Sequence, residues 1–343
     1  MRFRAVFAVG LAALTISGCT MASDNSAIDQ EQIENSTITV YSGRNENFIS
    51  PFFDEFTAQT GIKIEARYGD SAELAALLLE EGKNSPADVF LSQDAGAIGA
   101  VAAQDLFKTL DSGDISVVSE QFRDPNSKWV GITGRSRIIA YNNKKYSESD
   151  LPKTIDELLD PKWSGKIAIA PTNASFQSFI TAVVQLRGEE KTLEWLKGLN
   201  TNNPQMFEKN SQMVEAIDQE VVDLGLTNHY YVAEVSQNLG REINVGISFF
   251  NNQDAGNLLN VSALGILQTS KKQEQSLKLV KYLLSKSTQE KFVNETYEYS
   301  LLNGVAAPTG LPLLDQLGIP NVRLGQLTDV AKTQELLITS GLL

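Results

Sequence analysis

One histidine and one cysteine in 343 residues exclude most of the side-chain chemistry that nitrogen and sulfur support. With Cys19 alone there is no intramolecular disulfide, so the fold must rest on its core. With His229 alone, imidazole can give a metal at most one ligand, and a serine hydrolase would have to use that residue as its base. Basic charge is also scarce: 29 Lys and Arg stand against 42 Asp and Glu, a formal net charge of −13. A surface of that sign repels nucleic acid, whose phosphates need a basic partner. Long apolar runs are missing too. The longest, Ala5 to Ile16, falls short of the ~20 residues that a membrane-spanning helix needs. The three tryptophans, Trp129, Trp163 and Trp195, sit in contexts that read as structural, which leaves few rings to stack on a sugar.

The chain begins with a processing pattern. Arg2 and Arg4 precede the apolar run, and Ile16-Ser17-Gly18-Cys19 resembles a bacterial lipobox, in which the cysteine is lipidated and becomes the first mature residue. Residues 1–18 read as a signal peptide, and residues 19–36, rich in Ser, Asp, Asn, Gln and Glu, as a flexible tether from the lipid at Cys19. The folded part is then expected at the periplasmic or outer face of the cytoplasmic membrane.

From Thr37 onward, strand and helix signals alternate. Thr37-Ile38-Thr39-Val40-Tyr41 is β-branched and aromatic; Phe48, Ile49, Phe52, Phe53 and Phe56 share a helical face that Gly61 ends; Ile62, Ile64 and Ala66 alternate with charged residues. Ser71–Glu81 and Ala95–Gln104 read as helices around a strand at Ala87–Leu91, and strands at Ile138–Tyr141 and Lys166–Ala170 flank further helices. This rhythm predicts an α/β fold with a largely parallel sheet and a binding site at the carboxyl ends of its strands. Two lobes with a cleft and hinge between them are expected: residues 37–136 with 261–311, and 137–260 with 312–343.

Asn228-His229-Tyr230-Tyr231 is the most distinctive run. Where nitrogen and sulfur are missing, a metal must be held by oxygen, and phenolate is a hard, anionic ligand suited to Fe(III). Twin tyrosines are also ordinary in a strand, with one ring inward and one outward. In such an extended segment neighbouring side chains diverge, so His229 is expected to point away from the position that Tyr230 faces.

Several blocks in order carry a resemblance: Val40-Tyr41-Ser42-Gly43-Arg44, Tyr68-Gly69-Asp70-Ser71-Ala72-Glu73-Leu74-Ala75, Ser85-Pro86-Ala87-Asp88-Val89-Phe90, Gly134-Arg135-Ser136-Arg137 through Tyr141-Asn142, Pro161-Lys162-Trp163-Ser164-Gly165-Lys166 and Asn228-His229-Tyr230-Tyr231. In these the chain resembles the ferric-iron-binding proteins of bacterial ABC importers, a transferrin-like branch of the type II periplasmic binding fold. The resemblance implies a monomeric receptor that closes on Fe(III) and delivers it to an inner-membrane permease and its ATPase, with no catalytic residue. It implies Tyr230 and Tyr231 as ligands, with a third phenolate from Tyr141. It also implies a synergistic anion such as carbonate, for which Arg44, Arg135 and Arg137 are candidate anchors and Asn173, Ala174, Ser175, Asn210 and Asn228 candidate polar contacts. The histidine and carboxylate that some members add fall on Asn45 and Gln93, neither a good iron ligand.

Other functions remain open on the residues alone. Asp70, Glu73 and Asp94 could line a polyamine site, and the arginines could hold an oxyanion without tyrosine. Gly69-Asp70-Ser71 resembles a lipase nucleophile motif, but position 226 is Leu, so the acid of an Asp-x-x-His pair is absent.

Overall fold

A computed structural model describes residues 36–343. Cys19, the signal segment and nearly all of the tether lie outside the described residues. Strand β1 (Thr37–Ser42) lies between β2 (Lys63–Tyr68) and β3 (Val89–Ser92), parallel to both. Helix α1 (Glu46–Thr60) buries Ile49, Phe52, Phe53 and Phe56, the face that the sequence spacing predicts, and stops at Gly61 in the left-handed conformation (φ 73°). Helix α2 (Ser71–Glu81) starts at Asp70, whose carboxylate accepts from the N–H groups of Ala72 and Glu73. Helix α3 (Ala95–Ala103) is built from small residues for a visible reason. A Cβ at Gly96 or Gly99 would lie 2.3 or 2.0 Å from the backbone oxygen of Leu327 or Gly325.

Strand β4 (Val130–Asn142) joins the two halves of the molecule. Up to Ser136 it runs antiparallel to β9 (Leu259–Ile266); from Arg137 it pairs instead with β7 (Leu224–Asn228) and β8 (Val245–Ser248). Beyond β7 lie β5 (Ile167–Ile169) and β6 (Gln205–Met206), both in parallel pairing. The strand order is β2-β1-β3-β9-β4-β7-β5-β6, with the two-residue β10 (Tyr299–Ser300) on β4. The expectation of a largely parallel sheet therefore holds only toward its two ends. The centre is antiparallel, because β4 and β9 carry the chain between the halves rather than closing βαβ units.

The second half packs α4 (Ala174–Arg187), α5 (Glu189–Thr201), α6 (Asn210–Asp218) and α7 (Tyr230–Leu239) around its strands. Helices α8 (Gln273–Leu283) and α9 (Lys286–Thr296) return to the first half, where Phe292 stacks on Phe52 with ring centroids 3.9 Å apart. Assigning all of 312–343 to the second lobe needs correction. The turn at Leu324–Gln326 packs on α3 of the first half, and only α10 (Val330–Ser340) sits on α4 and α5. The three tryptophans are buried as expected, and the Trp195 indole donates to the Ile155 carbonyl at 2.8 Å.

Candidate functional site

Tyr230 and Tyr231 are not in an extended segment. They open α7 directly after β7, and His229 already has helical angles (φ −57°, ψ −40°). The difference decides whether the pair can act together. In a strand consecutive side chains face opposite ways, whereas at a helix start they diverge by only about 100°. The two rings accordingly lie side by side, with centroids 4.2 Å apart and planes inclined by 31°. Burial and the neighbouring phenol hold the Tyr230 hydroxyl well above the usual phenol range, so it stays protonated until a cation replaces the proton.

His229 is fully engaged elsewhere. Its Nδ1 accepts from the Ser136 N–H at 3.1 Å, and its Nε2–H donates to the Tyr297 carbonyl at 2.7 Å, which defines the neutral tautomer. Burial lowers its pKa to about 4. His229 is therefore kept from a metal by the partners of its two nitrogens, and not by the divergence of strand neighbours.

The candidate arginines separate into two groups. Arg44 gives both terminal nitrogens to Glu298, at 3.0 and 3.1 Å, with both side chains at most 5% exposed. Arg135 approaches the same carboxylate at 3.7 Å and donates to the Gln93 carbonyl, and the Thr133 hydroxyl donates to Glu298 at 2.6 Å. Arg137 is as deeply buried but has no carboxylate. It donates to the Leu226 carbonyl at 2.9 Å, to Ser175 Oγ at 3.3 Å and to Asn228 Oδ1 at 3.4 Å, and it lies over the rings of Phe176 and Phe179, while its Nε has no partner. Burial lowers its pKa to about 9, against the opposing pull of the two phenols, so it remains cationic at neutral pH.

Around Arg137 stand the other predicted polar residues. Asn173 caps α4, its Oδ1 accepting from the Ser175 N–H and hydroxyl at 3.0 and 2.7 Å. The Asn210 amide donates to Asn173 Oδ1 at 3.2 Å and to Ser175 Oγ at 3.1 Å, and its own Oδ1 is buried without a partner. A cavity of about 500 Å³ brings together Arg135, Arg137, Asn173, Ala174, Ser175, Asn228 and both tyrosines. A second cavity, of about 890 Å³, meets it at Gly43, Asp70, Gln93, Tyr230 and Tyr231 and is lined beyond them by Arg44, Glu46, Glu234 and Glu298. The tyrosine pair thus forms the wall between a chamber of mixed charge, in which Arg135, Arg137 and Lys209 face Asp70, Asp94 and Glu208, and one lined mainly by acids.

Tyr141 is not brought to this place. It pairs with Leu224 at the far end of β7 from Asn228, four residues along β4 from Arg137, which is about 13 Å of strand. Its ring covers Gly246, where an added Cβ would lie 2.4 Å from Cζ, and it lines neither cavity. Tyr141 sits at a strand end, and it is the register of that strand that keeps it from the tyrosine pair. Asn45 and Gln93, the two departures, stay close: Asn45 caps α1 and lines the acidic cavity, and Gln93 lines both. Asp70 and Asp94, considered above for a polyamine, act as helix caps. Sequence reasoning missed Glu298 and Glu234, which line the acidic cavity, and Lys209, which lines the other. Glu298 lies 254 residues from Arg44 and belongs to no motif, and only its register beside β10 puts it in the cleft.

A two-lobed α/β receptor with a polar cleft is the class that this fold and site define. The chain belongs to the bacterial extracellular solute-binding protein family, whose model matches residues 84–312. It is 34% identical over 98% of its length to the Fe(3+)-binding periplasmic protein of Serratia marcescens, covering 99% of that protein. Among solved structures it is similar to iron-bound HitA from Pseudomonas aeruginosa (31% identity, 89% of this chain and 99% of the other, TM-score 0.81). It is also similar to the Trichodesmium protein IdiA (FutA) in complex with iron and citrate (27% identity, 89% and 99% covered, TM-score 0.76).

Proposed function

We propose that this protein captures ferric iron outside the cytoplasmic membrane and passes it to an ABC permease and its ATPase. The observation that carries this reading is the helix-borne pair Tyr230–Tyr231, facing a buried arginine that has no protein counter-charge. Fe(III) is acidic enough to displace two phenol protons, and phenolate is the hard oxygen donor it prefers. Arg137, Asn228 and the start of α4 with Asn173, Ala174, Ser175 and Asn210 form a cradle for a synergistic anion, carbonate among the candidates, that completes the coordination shell. Arg44 is a structural residue in this reading, since Glu298 occupies both ends of its fork. Release follows protonation of the phenolates, loss of the anion, or reduction to Fe(II). Lipid at Cys19 would hold the monomeric receptor at the membrane face.

Support comes from the names of the relatives, from the family and from the donor set. The test is a ferric titration of the purified protein with bicarbonate present. An orange or red phenolate-to-iron band should grow to one equivalent, and Tyr230→Phe or Tyr231→Phe should each sharply weaken it. A protein that stays colourless and takes up no iron, yet binds an oxyanion through Arg137, would replace this reading with that of an anion receptor.

A further inference from the structure

Two phenolates are the only anionic side chains placed on the ion so far, since Tyr141, which would have given a third, lies elsewhere. A carbonate in the cradle, with two negative charges against the one positive charge of Arg137, would complete the charge balance, so a further side-chain ligand serves coordination rather than neutrality. The open side of the tyrosine pair is where such a ligand can reach the ion. Of the residues lining that side, Glu298 is committed to Arg44, Arg135 and Thr133, Asp70 caps α2, Glu46 is exposed in the first turn of α1, and Asn45 and Gln93 carry no charge.

Glu234 is different. It follows Tyr230 by one helical turn, four residues on, and Tyr231 by three, the spacings that bring side chains onto one helix face. It lines the same cavity as both tyrosines and is half-buried. Among the described residues it has neither a hydrogen bond nor an ion pair. Burial alone raises its pKa, as expected of a carboxylate held in the wall of a cleft with no cation beside it.

On the basis of the ferric reading above, we infer that Glu234 is a further iron ligand, its carboxylate binding the ion from the acidic chamber once the cleft closes. It thereby supplies the anionic oxygen that Asn45 and Gln93 do not. A carboxylate is as hard a donor as phenolate, and with Tyr230 and Tyr231 it makes three anionic oxygens from a single helix turn and a half.

Glu234→Gln tests this with the full soluble chain, ferric salt and a fixed bicarbonate concentration. Two quantities are read: the position of the phenolate-to-iron band and the rate of iron transfer to a competing chelator. Loss of an anionic donor makes Fe(III) a stronger electron acceptor, so the band should move to longer wavelength and transfer should quicken roughly tenfold or more. Circular dichroism and apo-protein melting establish that the variant folds. If it does not, Glu234→Asp, which keeps the charge and shortens its reach, takes its place and should shift both quantities less. A coloured wild type whose band and transfer rate are matched by the variant overturns the role of Glu234 and leaves the tyrosine site standing. A wild type that never colours overturns both.

Discussion

Arg44 and Arg137 are buried to a similar degree within one cleft, and they differ in what faces them. Arg44 meets a carboxylate that it grips with two hydrogen bonds, and a second arginine and a threonine complete that cluster. Arg137 meets a carbonyl, an amide and a hydroxyl, none of which neutralises it. Burying a charge without its opposite costs stability that folding alone does not require. A paired buried arginine is therefore explained by the fold, whereas an unpaired one at the edge of a cavity is explained by a ligand that brings the missing charge.

The sharpest way to break the comparison is to remove each cation in turn. Arg44→Met leaves Glu298 buried with only the more distant Arg135, and should lower stability by about 3–5 kcal/mol in chemical unfolding. A loss within 1 kcal/mol, on the order of a surface change, would mean that the pair is not structural. Next in size is an effect of pH. The buried His229 has its pKa lowered to about 4. The unfolded chain, in which histidine titrates near ~6.5, then binds a proton that the native state refuses. Stability should fall as pH drops from about 6.5 toward 4, by roughly 3 kcal/mol in total, and that part of the slope should vanish in His229→Gln. Equal slopes in both proteins would show that other groups govern the acid limb. Arg137→Met should be near neutral for unfolding. It should instead abolish the bicarbonate dependence of iron binding, a loss of about 1.5–3 kcal/mol for a charge-assisted contact, measured as affinity with and without the anion. Retained bicarbonate dependence would return the anchoring role to Arg44 or Arg135. The smallest effect is expected of Tyr141→Phe, within about 0.5 kcal/mol in unfolding and with no change of colour. A bleached variant would restore Tyr141 to the iron.

Much of the architecture could be read from local signals. The phenylalanine stripe of α1, the Gly61 stop and the Asp70 cap are decided within a few residues, and the structure keeps them where the spacing puts them. The twin tyrosines were legible as a pair, but their setting was not. β7 is apolar up to Thr227, and nothing in Asn228-His229-Tyr230-Tyr231 marks the change to helix. Pairings across long separations were out of reach for the same reason. Glu298 finds Arg44, and Tyr141 misses the cleft, through strand register that no short stretch encodes. The central antiparallel strands also carry no local label, because β4 stays extended while it changes partners between Ser136 and Arg137.

Resonance Raman scattering excited within the visible band of the iron-loaded protein tests the central claim most directly, because only phenolates bonded to Fe(III) gain intensity there. Tyrosinate ring modes should be strong in the wild type and in Tyr141→Phe, weaker in each single variant of the pair, and absent from the double variant Tyr230→Phe/Tyr231→Phe. Enhanced tyrosinate modes that survive the double substitution would place the iron on other residues and contradict the site described here.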